Sequence, residues 1–382
     1  MRRSVLDFMF FDAGGGHRAA ATALKQIVEQ QQRPWDVRLV DVQDVLDELD
    51  IFRKITGLRL EDLYNVVLEK GWTLGSAQLL PLMHGVIRLY HSSQVRVLAK
   101  HWRASPPDMV VSLVPNFNRS MFQAIRQISN NIPYVTILTD IADYPPHFWI
   151  EKQDQNFIVG SEKAEQQALA MGHSRDKVIR ASGMILNPRF YEPVEVDRAE
   201  GRRKLGLDPN MPTAMVMFGG MGSDVMKIIA QRLDQSDLDM QLIMVCGKNT
   251  RLAAMLRAGK GRIPKFVEGF TKEIPMYMKL SDWMIGKPGP GSISEAVAMG
   301  LPVITERNLW TLPQERYNAE WLQEKKIGEV VSNFDQIVPA CRRMLEAGAL
   351  AKYQANAAAV KNRAIFDIPE ILEKMLGCAT LL

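Results

Sequence analysis

Short apolar runs, each closed by a turn and followed by a helical pattern, recur along this chain in two separate series. The first series is VLDFMFF (5–11), VRLVDV (37–42), DMVVSL (108–113), YVTILTD (134–140) and NFIVG (156–160). The second is AMVMFGG (214–220), LIMVCG (242–247), KFVEGF (265–270), WMIGKPG (283–289) and LPVIT (301–305). Brief β-branched and aromatic runs alternating with helices build a parallel sheet wrapped on both faces. Between the series lies NPRFYEPVEVDRAEGRRKLGLDPNMP (187–212), rich in proline and charge, which reads as a linker plus the entry helix of a second domain. The expected fold class is therefore α/β, with two doubly wound Rossmann-like domains facing a cleft and ligand loops at the carboxyl ends of the strands. The expected divisions are an N-terminal domain over 1–190, a C-terminal domain over 191–365, and a last helix, 366–382, packing back toward the first domain.

A chain of 382 residues fits two or three domains at roughly 150 residues each. With 47% hydrophobic and 24% charged residues it has the balance of a folded protein rather than a disordered one. A formal charge of +4 is too small for this length to imply nucleic acid. Cys246, Cys341 and Cys378 are too scattered for a disulfide framework or a zinc site, which fits a reducing cytoplasm. No apolar run approaches the ~20 residues of a spanning helix. Asp7 and Asp12 interrupt the opening MRRSVLDFMFFDAGGGH, so it reads as a first strand and not as a leader. All six histidines (His17, His84, His91, His101, His147, His173) fall in the first half. A histidine base must come from there.

Residues 51–104 break the rhythm. They carry apolar and aromatic residues at helical spacing, among them Tyr64, Trp72, Tyr90 and Trp102, with Arg53, Lys54, Arg88, Arg96, Lys100 and Arg103 between. Two readings are open: core helices with solvated basic faces, or an apolar, basic surface that sits on an anionic membrane and admits a lipid.

Three glycine-rich turns carry the chemistry. FFDAGGGHRAAA (10–21) joins a strand to an Ala-rich helix, whose N-terminus favours anions and holds the His17 imidazole neutral, as a general base requires. Gly14, Gly16 and Ala19 also satisfy a loose dinucleotide fingerprint, with Asp41 where a ribose-binding acid would lie, so an oxidoreductase is a rival. MFGGMGS (217–223) offers backbone amides of Gly219, Gly220 and Gly222 and the Ser223 hydroxyl to a diphosphate. It is not a Walker loop, because no G-K-[ST] follows. GKPGPGSISEA (286–296) is a stiff loop that opens a helix. Ser292-x-x-Glu295 reads either as a capping box or as loop amides on phosphate with Glu295 on ribose hydroxyls.

Together GGGHRAAA, TDIADYPPHFW, FGGMG, MVCGKN, EGFTKEIPMYM, GPGSISEA and LPQERYN occur in the order and spacing of the monogalactosyldiacylglycerol synthases, which share a glycosyltransferase family (family 28) with the MurG enzyme of peptidoglycan synthesis. The chain resembles these enzymes from about residue 5 to its last helices. The resemblance implies a GT-B fold, a UDP-hexose donor, an inverting mechanism with no essential metal or cofactor, and a lipid acceptor such as diacylglycerol. It also implies a cytoplasmic enzyme peripheral to the inner face of the cell membrane. By position, His17 matches the base, with Asp140 (and Asp143 beside it) as an alternative or assisting base. Gly15, Gly16, Tyr144 and His147 fall on the acceptor side. The Gly219–Ser223 loop matches the diphosphate loop, and Gly269 and Phe270 the uracil contacts. Gly291, Ser292 and Glu295 match phosphate and ribose contacts; Gln314 and Glu315 match the pair that reads sugar hydroxyls, with Asn318 beside them. The chain departs from the plant-type pattern at Val114, at Met221 and across Tyr144–Trp149. A UDP-sugar epimerase or hydrolase, or transfer to a soluble acceptor, would use the same fold.

Overall fold

A computed structural model describes residues 2–12, 15–47, 85, 87–144 and 147–379. They form two compact units, Met1–Pro188 with Asn362–Leu382, and Arg189–Lys361. The first holds strands β1 (Ser4–Phe10), β2 (Trp35–Asp41), β3 (Met109–Ser112), β4 (Tyr134–Ile137), β5 (Asn156–Val159) and β6 (Val178–Arg180). The second holds β7 (Thr213–Met217), β8 (Gln241–Val245), β9 (Lys265–Glu268), β10 (Trp283–Gly286), β11 (Val303–Glu306) and β12 (Gly328–Val331).

Each unit is one six-stranded sheet, ordered β2-β1-β3-β4-β5-β6 in the first and β12-β11-β10-β7-β8-β9 in the second. Every neighbouring pair is parallel. The doubly wound α/β class expected from the sequence is what the chain adopts. Central strands such as β3, β4, β7 and β8 are buried along their whole length, because helices cover both faces; hence their unbroken apolar runs. In each sheet the winding reverses once, between β1 and β3 and between β7 and β10. The connections at such reversals diverge and leave a crevice beyond the carboxyl ends of the two strands.

The two edge strands β6 and β12 escape the sequence pattern. The first is three residues inside KVIRAS, too short to show a period, and the second opens on Gly328. That glycine is needed, since a Cβ there would lie 2.0 Å from the Val303 carbonyl oxygen on β11. Elsewhere several predicted runs overshoot: 134–140 ends at Ile137, 265–270 at Glu268 and 283–289 at Gly286.

One charge lies inside the first sheet. Asp7 of β1 is fully buried and faces Arg38 of β2, whose Nε lies 2.5 Å from its carboxylate, while the Trp102 indole N–H donates to it at 3.0 Å. A buried carboxylate is tolerated only with such partners. The Trp102 that brings the indole belongs to the helix His91–Ala104, which turns Val95, Leu98, Ala99 and Trp102 inward. Arg96, Lys100 and Arg103 stay exposed. Within this helix the aromatic is core and the basic residues form the solvated face; residues 51–84 of the proposed membrane segment lie outside the described residues. Among the described residues no helix is long and apolar enough to cross a membrane.

The helix expected in the linker is Arg198–Lys204, capped by Asp197 through the Glu200 N–H. Its buried Arg202 donates to the carbonyls of Leu280, Pro209 and Met211 and to the Asp282 carboxylate, which fastens the segment to the second sheet. The chain then returns to the first unit, where Ala364–Ala379 packs on Gly16–Gln30 and Glu373 pairs with Arg33 at 2.8 Å.

Candidate active site

In the first unit the reversal between β1 and β3 is lined by side chains. Gly15, at φ 76°, lets the chain turn from the β1 loop into the helix Gly16–Gln30, whose start has no side-chain cap. His17 stands in its first turn, its Nδ1 2.9 Å from the Thr139 hydroxyl and its ring 5.7 Å from that of Trp149. Burial pushes the imidazole down to about 4, against a smaller opposing effect of the Leu113 carbonyl, which favours its N–H. The ring is therefore neutral at physiological pH, with one nitrogen lone pair available for a proton.

Trp149 is positioned in turn by Asp140, which accepts its indole N–H at 2.8 Å. Asp143 is buried and accepts the backbone N–H groups of Tyr144, Trp149 and Ile150, with His147 Nδ1 at 3.2 Å. Burial raises its pKa, opposed by those hydrogen bonds. Asp143 thus ties the loop after β4 together. His147 sits at φ 71°, rare for a residue with a side chain, and its contact with Asp143 holds it there. Pro145 and Pro146 lie outside the described residues.

Asp41 takes a different part from the ribose contact that a dinucleotide site needs. It caps the helix Val42–Leu46 by accepting the Gln43 N–H at 2.9 Å and lies 3.8 Å from Arg18, which also pairs with Asp12 at 3.1 Å. Gly14 of that fingerprint lies outside the described residues.

In the second unit the reversal is lined by backbone. Gly219 and Gly222 have φ 72° and 64°, which turn the chain sharply after β7. The loop after β8 presses on this turn: Lys248 N–H donates to the Gly220 carbonyl at 2.8 Å. A Cβ on Gly222 would lie 2.5 Å from the Cys246 carbonyl oxygen, and one on Gly247 2.2 Å from that of Gly220. Glycine is required by both conformation and contact. Met221 is half exposed at the tip.

Across the reversal, the helix Pro290–Ala298 begins at Gly289, with Pro290 in its first position and no side-chain cap. Pro290 has no N–H to satisfy, so the orphan donors of this start are the amides of Gly291 and Ser292. The capping box does not form. Ser292 lies one turn inside, donating its hydroxyl to the Gly289 carbonyl at 3.3 Å, and among the described residues the Glu295 carboxylate makes no hydrogen bond back to the helix start. Burial raises the Glu295 pKa to about 7, eased slightly by Arg189.

Phe270 is largely exposed beside Lys248, whose ammonium lies 5.7 Å from its ring centre. The Gly269 N–H already donates to Glu268, which Tyr277 also holds at 2.8 Å, so Gly269 can offer a base only its carbonyl. Gln314 and Glu315 lie in one 3₁₀ turn, Pro313–Glu315. Glu315 is buried and carries an ion pair with Lys287 at 3.0 Å. Asn318 is fully buried and its amide N–H donates to the Pro288 carbonyl at 2.7 Å, which braces the KPGPG loop. The GKPGPG motif also carries Lys287, which stands directly after β10 beside the reversal.

Residues 213–359 match the glycosyltransferase family 28 C-terminal domain. Monogalactosyldiacylglycerol synthase 1, chloroplastic, of Arabidopsis thaliana is 27% identical over 347 residues, which cover 83% of this chain and 60% of that protein. A probable monogalactosyldiacylglycerol synthase 2 of Oryza sativa is 25% identical, covering 95% and 79%. The chain spans about 60% of the length of the first of these relatives. Among solved structures, MurG of Acinetobacter baumannii superposes with a TM-score of 0.64 at 11% identity, over 97% of this chain and 99% of that one. The calicheamicin glycosyltransferase CalG4 gives 0.60 at 15%, covering 99% of each. The second unit of this chain thus matches the glycosyltransferase family 28 C-terminal domain, and the chain adopts the GT-B fold and resembles the monogalactosyldiacylglycerol synthases, as its motifs implied.

Proposed function

We propose that this chain is an inverting glycosyltransferase that moves a hexose from a UDP-sugar to a lipid acceptor, diacylglycerol in the first instance. The observation that carries the reading is the glycine-lined reversal of the second unit: the Gly219–Ser223 turn opposite an uncapped helix start, with the partly buried Glu295 carboxylate beside it. Backbone amides and a helix N-terminus suit a diphosphate, and a carboxylate suits paired ribose hydroxyls. The names of the relatives support a galactosyl donor and a diacylglycerol acceptor.

Each unit's part in the chemistry follows from its own site. His17 takes the acceptor hydroxyl proton as that oxygen attacks the anomeric carbon, and the bond to the UDP oxygen breaks on the opposite face, which inverts the configuration. Thr139 and Trp149 hold the imidazole in place; Asp140 acts through Trp149, and Tyr144 and His147 flank the acceptor. Charge on the departing diphosphate is met by the amides at 219–223 and 291–292, without a resident metal or cofactor. Gln314 and Glu315 read the sugar hydroxyls. The enzyme works from the cytoplasmic face of an anionic membrane.

A structure described as a putative UDP-N-acetylglucosamine 2-epimerase from Listeria monocytogenes superposes with a TM-score of 0.59, so the fold alone does not separate transfer from epimerisation. Incubating the purified chain with host lipids and radiolabelled UDP-sugars, followed by mass analysis, separates them. A labelled glycolipid is expected. Free sugar, an epimerised nucleotide, or transfer to soluble acceptors alone would overturn the lipid reading.

A further inference from the structure

The Lys287–Glu315 ion pair sits where the donor reading puts the diphosphate and the sugar. Lys287 leaves the sheet directly after β10. Its side chain bends over Gly289: a Cβ on that glycine would meet Lys287 Cε at 3.3 Å, Ser292 Oγ at 3.3 Å and Glu315 Oε1 at 3.7 Å. On the other flank, a Cβ on Gly219 would meet Lys287 Cε at 3.8 Å. The ammonium therefore lies within reach of the Gly219–Ser223 turn and the start of the helix Pro290–Ala298, two elements suited to phosphate. Its present counter-ion is Glu315, 3.0 Å away. The carboxylate is the more buried partner, while the lysine side chain keeps access to solvent.

We infer that Lys287 is the cation that meets the donor diphosphate, exchanging Glu315 for it as the donor binds. This deepens the donor reading above and rests on it. A diphosphate, doubly charged and with several acceptor oxygens, outcompetes one carboxylate for the ammonium. Glu315, released, is then a buried carboxylate without its cation, a costly state unless hydroxyl donors replace it. The sugar of an intact donor supplies those hydroxyls; UDP alone does not. The exchange thereby couples phosphate binding to sugar reading, and favours the intact donor over the spent nucleotide.

Calorimetry of UDP and UDP-hexoses on the full chain tests this. Lys287→Met should weaken UDP by about tenfold or more, and Lys287→Arg should stay within about threefold of the parent, as expected for a charge-assisted contact. Glu315→Gln should tighten UDP by about threefold while shrinking the advantage of UDP-hexose over UDP, and Lys287→Met with Glu315→Gln should match Lys287→Met alone, since both act through one pair. Parent-like UDP binding by Lys287→Met, or equal loosening by both single changes, overturns the exchange and leaves a structural brace. Should the variants misfold, acetylation of the parent by acetic anhydride, mapped by mass spectrometry, gives the same answer: UDP protects Lys287, and unchanged labelling overturns the proposal. A parent that binds no UDP at all sinks the donor reading itself; a parent that binds UDP indifferently to Lys287 sinks only this inference.

Discussion

The two units share a topology and use it in opposite ways. Around β1 and β3 the reversal is filled by side chains that bond one another: His17 with Thr139, Trp149 with Asp140, His147 with Asp143. Around β7 and β10 the turns themselves are backbone, with Gly219, Gly222 and Gly247 at positive φ and an uncapped helix start, and the Lys287–Glu315 pair lies beside them. A site that must move a proton needs a side chain whose protonation can be set by its surroundings. A site that must hold a diphosphate needs many fixed N–H donors at close range, which side chains on the turn itself would obstruct.

The contrast can be broken most directly at His17. Replacing it with Ala should lower turnover by roughly a hundredfold or more, with UDP affinity unchanged in calorimetry. Because burial sets its pKa at about 4, the neutral base persists as pH falls through 6.5, and the acidic limb of kcat/KM should appear only near 4. An acidic limb near 6.5 that His17→Ala abolishes would show that the ring is solvated in the working enzyme. The same depressed value means that the unfolded chain takes up this proton first as pH falls below 6.5. Stability contributed here is lost between 6.5 and about 4.

Glu295 should give the next largest effect. Glu295→Ala should weaken UDP by about 1–3 kcal/mol, through loss of a charge-assisted hydrogen bond. With a pKa of about 7, the parent should bind UDP more tightly as pH rises from 6 to 8, and Glu295→Gln should lose that slope. A raised carboxyl pKa opposes folding once the group ionises, so Glu295→Gln should also gain thermal stability at pH 8 relative to pH 5. A variant that loses stability and still binds UDP normally would return Glu295 to a structural role.

Glycine substitutions sharpen the comparison at lower cost. Gly222→Ala meets both a positive φ and the Cys246 carbonyl at 2.5 Å, and should cost about 1–3 kcal/mol in denaturant unfolding. Gly16→Ala meets nothing within 4 Å on a helix and should be neutral or slightly stabilising. Equal losses at both would erase the distinction drawn between the two loops. The smallest effect expected is on the basic face. Charge reversal at Arg88, Arg96 and Lys100 should reduce binding to anionic vesicles severalfold at low salt, by about 1 kcal/mol per charge at most. Transfer to a short-chain soluble acceptor should be unaffected.

Several strand predictions overshot at the carboxyl end, and the excess is informative. Thr139 and Asp140 extend the β4 run, Gly269 and Phe270 the β9 run, and Lys287 the β10 run. All belong to the candidate sites. The chain leaves the sheet there to reach the crevice, yet composition stays apolar or small because the loops are still packed. Of the two readings open for Ser292-x-x-Glu295, the capping box fails for a related reason: it is a local pattern, but Pro290 starts this helix earlier and draws Ser292 inside.

The alternation of apolar runs and helices, with glycines at the turns, by itself determined two doubly wound sheets and the motifs at their loops, since these are local in period and composition. Tertiary structure alone decided which loops meet. It joined Thr139 to His17 across 122 residues and Lys287 to Glu315 across 28, gave Asp41 to a helix cap and Asn318 to a loop brace, and added the edge strands β6 and β12. Strand order brings those partners together, and strand order is fixed by long-range pairing and burial, which leave no periodic mark on the sequence.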